Sequence, residues 1–265
     1  MPVLQTVCGT EDGGGISYSY CIQQLPGTTS KDAVLYLHGQ GGSEYEWQNS
    51  PFAETVYSQW GQAAPAVITI SYGKTWLLAE KNSSSLSGLF EHFTQIALPA
   101  LEAKLPFHPA HLILMGASMG GFNASQLYLK RPDLFSRIVL ACPAIITFSP
   151  QAKDLEVGAY VARTGADRYY VDRALEMFSA FYPDTAAWSN AAPVDLASKM
   201  VTAQFPPVYV SCGDVDQYGF FEGAKAFADA VAKNGASSQW KLVPGPHCSF
   251  DVNGVASFVV PPTGQ

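Results

Sequence analysis

Charge is scarce in this chain of 265 residues: Asp, Glu, Lys and Arg together make up 14% of it, against about 25% in an average protein. A coiled coil, a charge-rich disordered chain or a polybasic nucleic-acid binder needs far more. The charge present sums to −7 at neutral pH. A polyanion is therefore repelled on average, and neither nucleic acid nor an anionic membrane is expected as a partner. Long apolar runs are missing too. The longest, such as 34–37 and 138–142, are strand-sized and well short of the roughly 18 residues of a membrane span. The chain begins Met1-Pro2-Val3 without a basic stretch leading into an apolar one, so no signal peptide is expected, and a cytoplasmic or a mature secreted form both stay open.

Cysteine is sparse as well. There are five, an odd number, with no CxxC spacing and no HExxH motif, so neither a disulfide framework nor a metal centre is expected. His108 and His111 share a proline-containing loop and read as solvated side chains. Cys8 and Cys21 flank the turn 11–15 almost symmetrically. A hairpin there sets them side by side, where a cross-strand disulfide is one reading. Asn82-Ser83-Ser84 fits a glycosylation acceptor, a triplet common by chance.

What is present is an alternation of strand and helix patterns. Apolar residues make up 48% of the chain, and its length suits one large domain, taken as 1–265, that needs no staple to fold. Segments 4–8 and 16–24 read as a hairpin about Gly13-Gly14-Gly15. Strands are expected at 33–37, 66–70, 111–115, 138–142, 208–212 and 239–243, the first of them continuously apolar as in a strand buried on both faces. Helical patterns occupy 44–60, 120–130, 222–233 and 252–260. Another covers 87–105, with Leu89, Phe93, Ile96, Leu101 and Leu105 on one face. Such alternation implies an α/β fold: a mostly parallel twisted sheet flanked by helices, with right-handed crossovers and an N-terminal antiparallel hairpin. One stretch breaks the pattern. Residues 143–206 contain no strand and carry Tyr160, Tyr169, Tyr170, Phe178, Phe181, Tyr182 and Trp188. So long a connection reads as a helical, cap-like insertion, its aromatics packing on the sheet, covering a site, or both.

Chemistry concentrates at strand ends. Gly116-Ala117-Ser118-Met119-Gly120-Gly121 directly follows a strand and precedes a helix, the setting of a nucleophile elbow. His38-Gly39-Gln40-Gly41-Gly42 follows an earlier strand. It is placed to supply a second oxyanion donor, assigned to the Gln40 N–H beside that of Met119. A serine nucleophile needs a base. Of the five histidines, His38 belongs to the oxyanion turn, where it is read as bracing the loop, His92 to a helix, and His108 and His111 to the amino end of the sheet. His247 remains, at the carboxyl end where catalytic groups of open α/β sheets collect. Asp214 and Asp216 both follow the preceding strand. Asp216 is preferred because the turn carries it clear of the strand toward His247, leaving Asp214 to brace the turn. Asp251 is third and reads as the N-cap of the last helix. The order Ser118…Asp216…His247 is that of an α/β-hydrolase. Trp47 and Trp76, read as loop residues near the site, are candidates with His38 for substrate contact, with packing in the core as the other reading of the aromatics.

These motifs, with Arg131-Pro132-Asp133-Leu134-Phe135 ahead of a strand, Gly213-x-x-Asp216 and Gly245-Pro246-His247, resemble the putative-esterase family of α/β-hydrolases, which includes esterase D and bacterial feruloyl esterases. The resemblance covers most of the chain. It implies a serine carboxylesterase with Ser118, Asp216 and His247 as triad, no cofactor and a small-molecule ester as substrate. The oxyanion turn departs from that of the esterase D members, which counts against a formylglutathione substrate. Short-chain acyl esters are expected, with a feruloyl or acetyl ester of a plant polysaccharide as the alternative. An acyltransferase would use the same triad, and a non-catalytic binding protein is the remaining class.

Overall fold

In the computed structural model, which describes residues 3–73, 89–200, 205–249 and 251–262, the apolar runs form one eight-stranded sheet of order β1-β2-β4-β3-β5-β6-β7-β8. Its strands are β1 (Gln5–Gly13), β2 (Ile16–Gln24), β3 (Ala33–Leu37), β4 (Ala66–Ser71), β5 (Leu112–Ala117), β6 (Arg137–Ala141), β7 (Val208–Gly213) and β8 (Ser238–Val243). The β1–β2 and β2–β4 pairs are antiparallel and the other pairs parallel. This is the α/β-hydrolase architecture.

Successive side chains of a strand point to opposite faces, and two cores result. Leu35, Leu114, Leu140 and Val210 face the larger one. Val34, Ile113, Val139 and Tyr209 face the smaller. The larger core takes α5 (Met119–Lys130), α10 (Phe220–Lys233) and the pair α3 (Leu89–His92) and α4 (Leu98–Glu102), which a π-turn joins. The smaller core takes α1 (Glu46–Asn49), α2 (Pro51–Trp60) and α11 (Val252–Val259).

Three expectations need correction. The hairpin is longer than its apolar half: β1 runs through Glu11 and Asp12 to Gly13, which pairs with Ile16 across a two-residue Gly14-Gly15 turn. Exposed edge strands tolerate such charges because only one partner fixes them. Segment 44–60 splits at Ser50-Pro51, where the proline opens α2 and Ser50 caps it. Ile96 is 39% exposed, turned off the core face by the π-turn, and covers the hairpin turn at Gly13 and Gly14 instead.

The insertion is helical where described. It consists of α6 (Asp154–Thr164), α7 (Arg168–Phe181), α8 (Thr185–Ser189) and α9 (Pro193–Ser198). Tyr160, Phe178, Tyr182 and Trp188 are buried in the larger core, while Tyr169 and Tyr170 stay exposed at the start of α7. No described helix is long and apolar enough to cross a membrane. Trp76 and the Asn82 triplet lie outside the described residues.

Cys8 faces Cys21 in the β1–β2 register, and the two are disulfide-bonded. Cys142, Cys212 and Cys248 are free. Thiol titration of the unfolded, unreduced chain is therefore expected to find three thiols, rising to five after reduction. Five without reduction would refute the bond. Closing so short a loop is worth about 3 kcal/mol in the chain-entropy account, so reduction should lower the denaturant midpoint.

Candidate active site

β5 passes into α5 through a single residue, Ser118, held at φ 52° and ψ −115°. Residues with side chains rarely adopt that region, and their neighbours must hold them in it. Here the Ser118 N–H donates to the Ala141 carbonyl at 3.0 Å, and the Ser118 carbonyl accepts from Phe122 at 3.0 Å and Ala144 at 2.9 Å. The flanking glycines are required by space. A Cβ at Gly116 would run into the Gly120 carbonyl, and one at Gly120 into the Leu37 carbonyl. The tight turn of the elbow onto the start of α5 thus accounts for Gly116, and its close packing against the end of β3 for Gly120.

Two further strand ends converge on Ser118. The loops after β7 and β8 touch so closely that a Cβ at Gly213 would meet the Gly245 and Pro246 carbonyls. Asp214 staples them, its Oδ1 accepting from the Gly245 N–H at 2.9 Å. This carries His247 toward Ser118, with 2.9 Å between Nε2 and Oγ. Nδ1 of the same ring lies 2.7 Å from Asp216 Oδ2. Asp216 is 1% exposed. Its other oxygen accepts from the Tyr218 N–H at 2.8 Å, and the Cys212 thiol donates to Oδ2 at 3.4 Å. Gln217 accepts from the His247 N–H at 3.1 Å. The rings of Tyr218 and Phe220 stand edge-on to the imidazole, with centroids 4.8 and 5.5 Å away. The structure therefore brings Ser118, His247 and Asp216 together and gives Asp214 a bracing position. Asp251 caps α11 by accepting from the Gly254 N–H.

Electrostatics follow from this enclosure. Burial of the His247 ring opposes its protonation, but the hydrogen bond to Asp216, helped by the adjoining Cys248, outweighs burial and lifts its pKa above 6.5. The Cys142 hydrogen bond, and then His247, hold the Cys248 thiol below its ordinary range against the effect of burial. Burial pushes Cys142 and Cys212 up.

The glycine turn after β3 lies alongside, and a Cβ at Gly39 would sit 3.6 Å from Ser118 Cβ. The Gly39 N–H donates to both Glu46 carboxylate oxygens at 3.1 Å, and the Tyr36 hydroxyl donates to Glu46 Oε1 at 2.7 Å. Burial and Glu46 together drive the Tyr36 pKa well up, so that hydroxyl stays a donor. Glu46 thus holds the turn in place. Periodicity does not reveal this role, because Glu46 acts from the next helix. Gln40 and Ser118 line one cleft of about 680 Å³. Met119 opens α5, where the first N–H groups have no acceptor within the helix.

Two candidate substrate contacts take the other role the sequence left open for them, core packing for Trp47 and bracing of the turn for His38. Trp47 is 1% exposed and packs in the smaller core, stacked on Trp60 at 6.2 Å with Tyr57 edge-on, because α1 turns its apolar side inward. It presents no face to the cleft. His38 is 4% exposed. Its ring is spent on bracing the turn, 2.7 Å from the Gly39 carbonyl and 2.9 Å from Ser71 Oγ. His111 pairs with Asp32 at the surface, and His92 is buried with its Nε2 on the Gly13 carbonyl. A second hollow of about 470 Å³ adjoins the cleft, sharing Gln40 and Tyr218 with it and adding Tyr169, Tyr170 and Arg173 from α7.

A family model described as putative esterase matches residues 19–259. Among solved structures, a ferulic acid esterase superposes with a TM-score of 0.67 at 16% identity, over 96% of this chain and 94% of that one. An S-formylglutathione hydrolase from Agrobacterium tumefaciens gives 0.64 at 17%, over 96% and 91%. A fungal esterase from Rhizomucor miehei gives 0.70 at 16%, over 97% and 82%. At these identities the likeness is one of fold. In sequence, the chain is 27% identical over 132 residues to the peroxisomal membrane protein LPX1 of Saccharomyces cerevisiae, a match spanning 47% of this chain and 34% of that protein's length.

Proposed function

Since the chain belongs to the putative esterase family, carboxylic ester hydrolases of the α/β-hydrolase superfamily, we propose that it cleaves small esters by nucleophilic catalysis from Ser118. The observation that carries this reading is the hydrogen-bonded series Ser118 Oγ, His247, Asp216 at the carboxyl ends of β5, β8 and β7. His247 Nε2 takes the hydroxyl proton as Ser118 attacks the carbonyl carbon. The N–H groups of Gln40 and Met119 hold the oxyanion, with the positive end of α5 behind them. The alcohol leaves with the proton from His247. Water, deprotonated by the same ring, then attacks the acyl-enzyme and releases the acid and Ser118. Asp216 fixes the ring's tautomer and stabilises the imidazolium.

Short-chain acyl esters suit a cleft of about 680 Å³ whose described lining around Ser118 includes the polar residues Gln40, Ser43, Glu46 and Asn49. The second hollow favours another reading, an ester whose alcohol or acyl part carries a ring, with Tyr169 and Tyr170 as its stacking surface and segment 143–206 acting as a cap. Rates on p-nitrophenyl butyrate and methyl ferulate separate the two. A higher kcat/KM on butyrate is the expected result. A preference for ferulate that Tyr170→Ala abolishes would install the ring-bearing ester instead. Cleavage of neither would overturn esterase action on both classes.

A further inference from the structure

Three free cysteines, remote in sequence, end up around the same histidine. Cys142 follows β6, Cys212 lies in β7 and Cys248 follows His247 in the loop after β8. Cys212 is committed to Asp216. The other two have no part in the proposed mechanism. A donor atom from each of Cys142, His247 and Cys248 lies within 4.8 Å of the others, and all three residues line the cleft. Both cysteines also hold backbone conformations that disfavour side chains, with φ 41° at Cys142 and 63° at Cys248. Strain of that kind persists where the surroundings impose it, and it gathers at functional sites.

We propose that Cys142, His247 and Cys248 bind a thiophilic divalent cation, with zinc as the type, and that the bound ion shuts off hydrolysis. Two thiolates and one imidazole are a common zinc donor set, and the cleft leaves the fourth tetrahedral position open to water. Zn–S bonds of about 2.3 Å place two sulfurs roughly 3.8 Å apart, so the cluster closes by side-chain rotation without moving a strand. The two thiols lose their protons to solvent on binding, and the histidine gives a neutral ring nitrogen. Both of its nitrogens are already in use, Nε2 toward Ser118 and Nδ1 toward Asp216. Coordination through either one breaks the path by which the Ser118 proton leaves. The inhibition rests on the proposed triad, whereas the binding does not.

The test uses the metal-free full chain and Co²⁺ as a coloured stand-in, followed by displacement with Zn²⁺. A single equivalent of Co²⁺ should produce a thiolate-to-cobalt charge-transfer band that zinc removes. Ser118→Ala should keep the band. Cys142→Ser and Cys248→Ser should each weaken binding by more than the about 10- to 100-fold that outer-shell changes cost. Zinc should abolish wild-type hydrolysis and a chelator restore it. Each cysteine variant should hold its own zinc-free rate at the same zinc concentration. Absence of the band, or its survival in both cysteine variants, would overturn the site. A stoichiometric band with undiminished hydrolysis would keep the site and overturn the role given to His247.

Discussion

Replacing Ser118 by alanine is expected to lower kcat on p-nitrophenyl acetate and butyrate by about 10⁶-fold, the size of effect seen when a triad nucleophile is removed. The site explains why so little should remain. His247 Nε2 has Ser118 Oγ as its partner at 2.9 Å, and no described serine or threonine hydroxyl besides it is bonded to that ring. Water would have to attack the ester directly, helped only by the oxyanion donors. The variant should fold normally. Alanine keeps the Cβ, and the backbone bonds to Ala141, Phe122 and Ala144 that hold φ at 52° are untouched. Unchanged thermal unfolding beside lost hydrolysis therefore assigns the loss to chemistry. A fluorophosphonate should label the wild type and leave the variant unlabelled. Retention of most activity by the variant would remove Ser118 from the mechanism.

Much of this site is legible in the sequence because it is built from strand ends. β3, β5, β6 and β7 are buried on both faces, so their apolar runs mark them to within a residue or two. The residue that follows each run is then at the carboxyl edge of the sheet. Ser118, directly after β5, and Asp216, in the turn after β7, are singled out that way, whereas His247 follows the part-exposed β8 and is reached by elimination among five histidines. Features that depend on which strands become neighbours are not. Cys142 and Cys248 are about a hundred positions apart and meet only because β6, β7 and β8 lie side by side. The one local sign was the cysteine next to His247. Trp47 misleads for the opposite reason. A tryptophan near a glycine turn resembles a binding residue, and nothing local shows that α1 directs it into the smaller core with Tyr57 and Trp60.

Asp216→Asn should cost about 10⁴-fold in kcat, and the two shortest bonds of the carboxylate give the reason. Oδ1 accepts from the Tyr218 N–H at 2.8 Å, while Oδ2 faces His247 Nδ1 at 2.7 Å. An asparagine has one acceptor oxygen, and the Tyr218 N–H claims it. The amide NH₂ then faces Nδ1, which must accept. That places the ring proton on Nε2, the atom that has to take the proton from Ser118, so the base is present with the wrong tautomer. A pH profile adds a second readout. His247 acts as a base only when neutral, so kcat/KM should rise as the ring loses its proton, and the hydrogen bond to Asp216 is expected to hold that limb above the ordinary imidazole range in the wild type. Removing the carboxylate removes a group that favours the imidazolium, and the limb should move to lower pH in the variant. Asp214→Asn supplies the contrast. Its side chain reaches the Gly245 N–H, an asparagine oxygen serves equally well there, and both kcat and the acid limb should stay where they are. Equal losses from the two variants would mean that the loop as a whole, and not the Asp216 carboxylate, sustains catalysis.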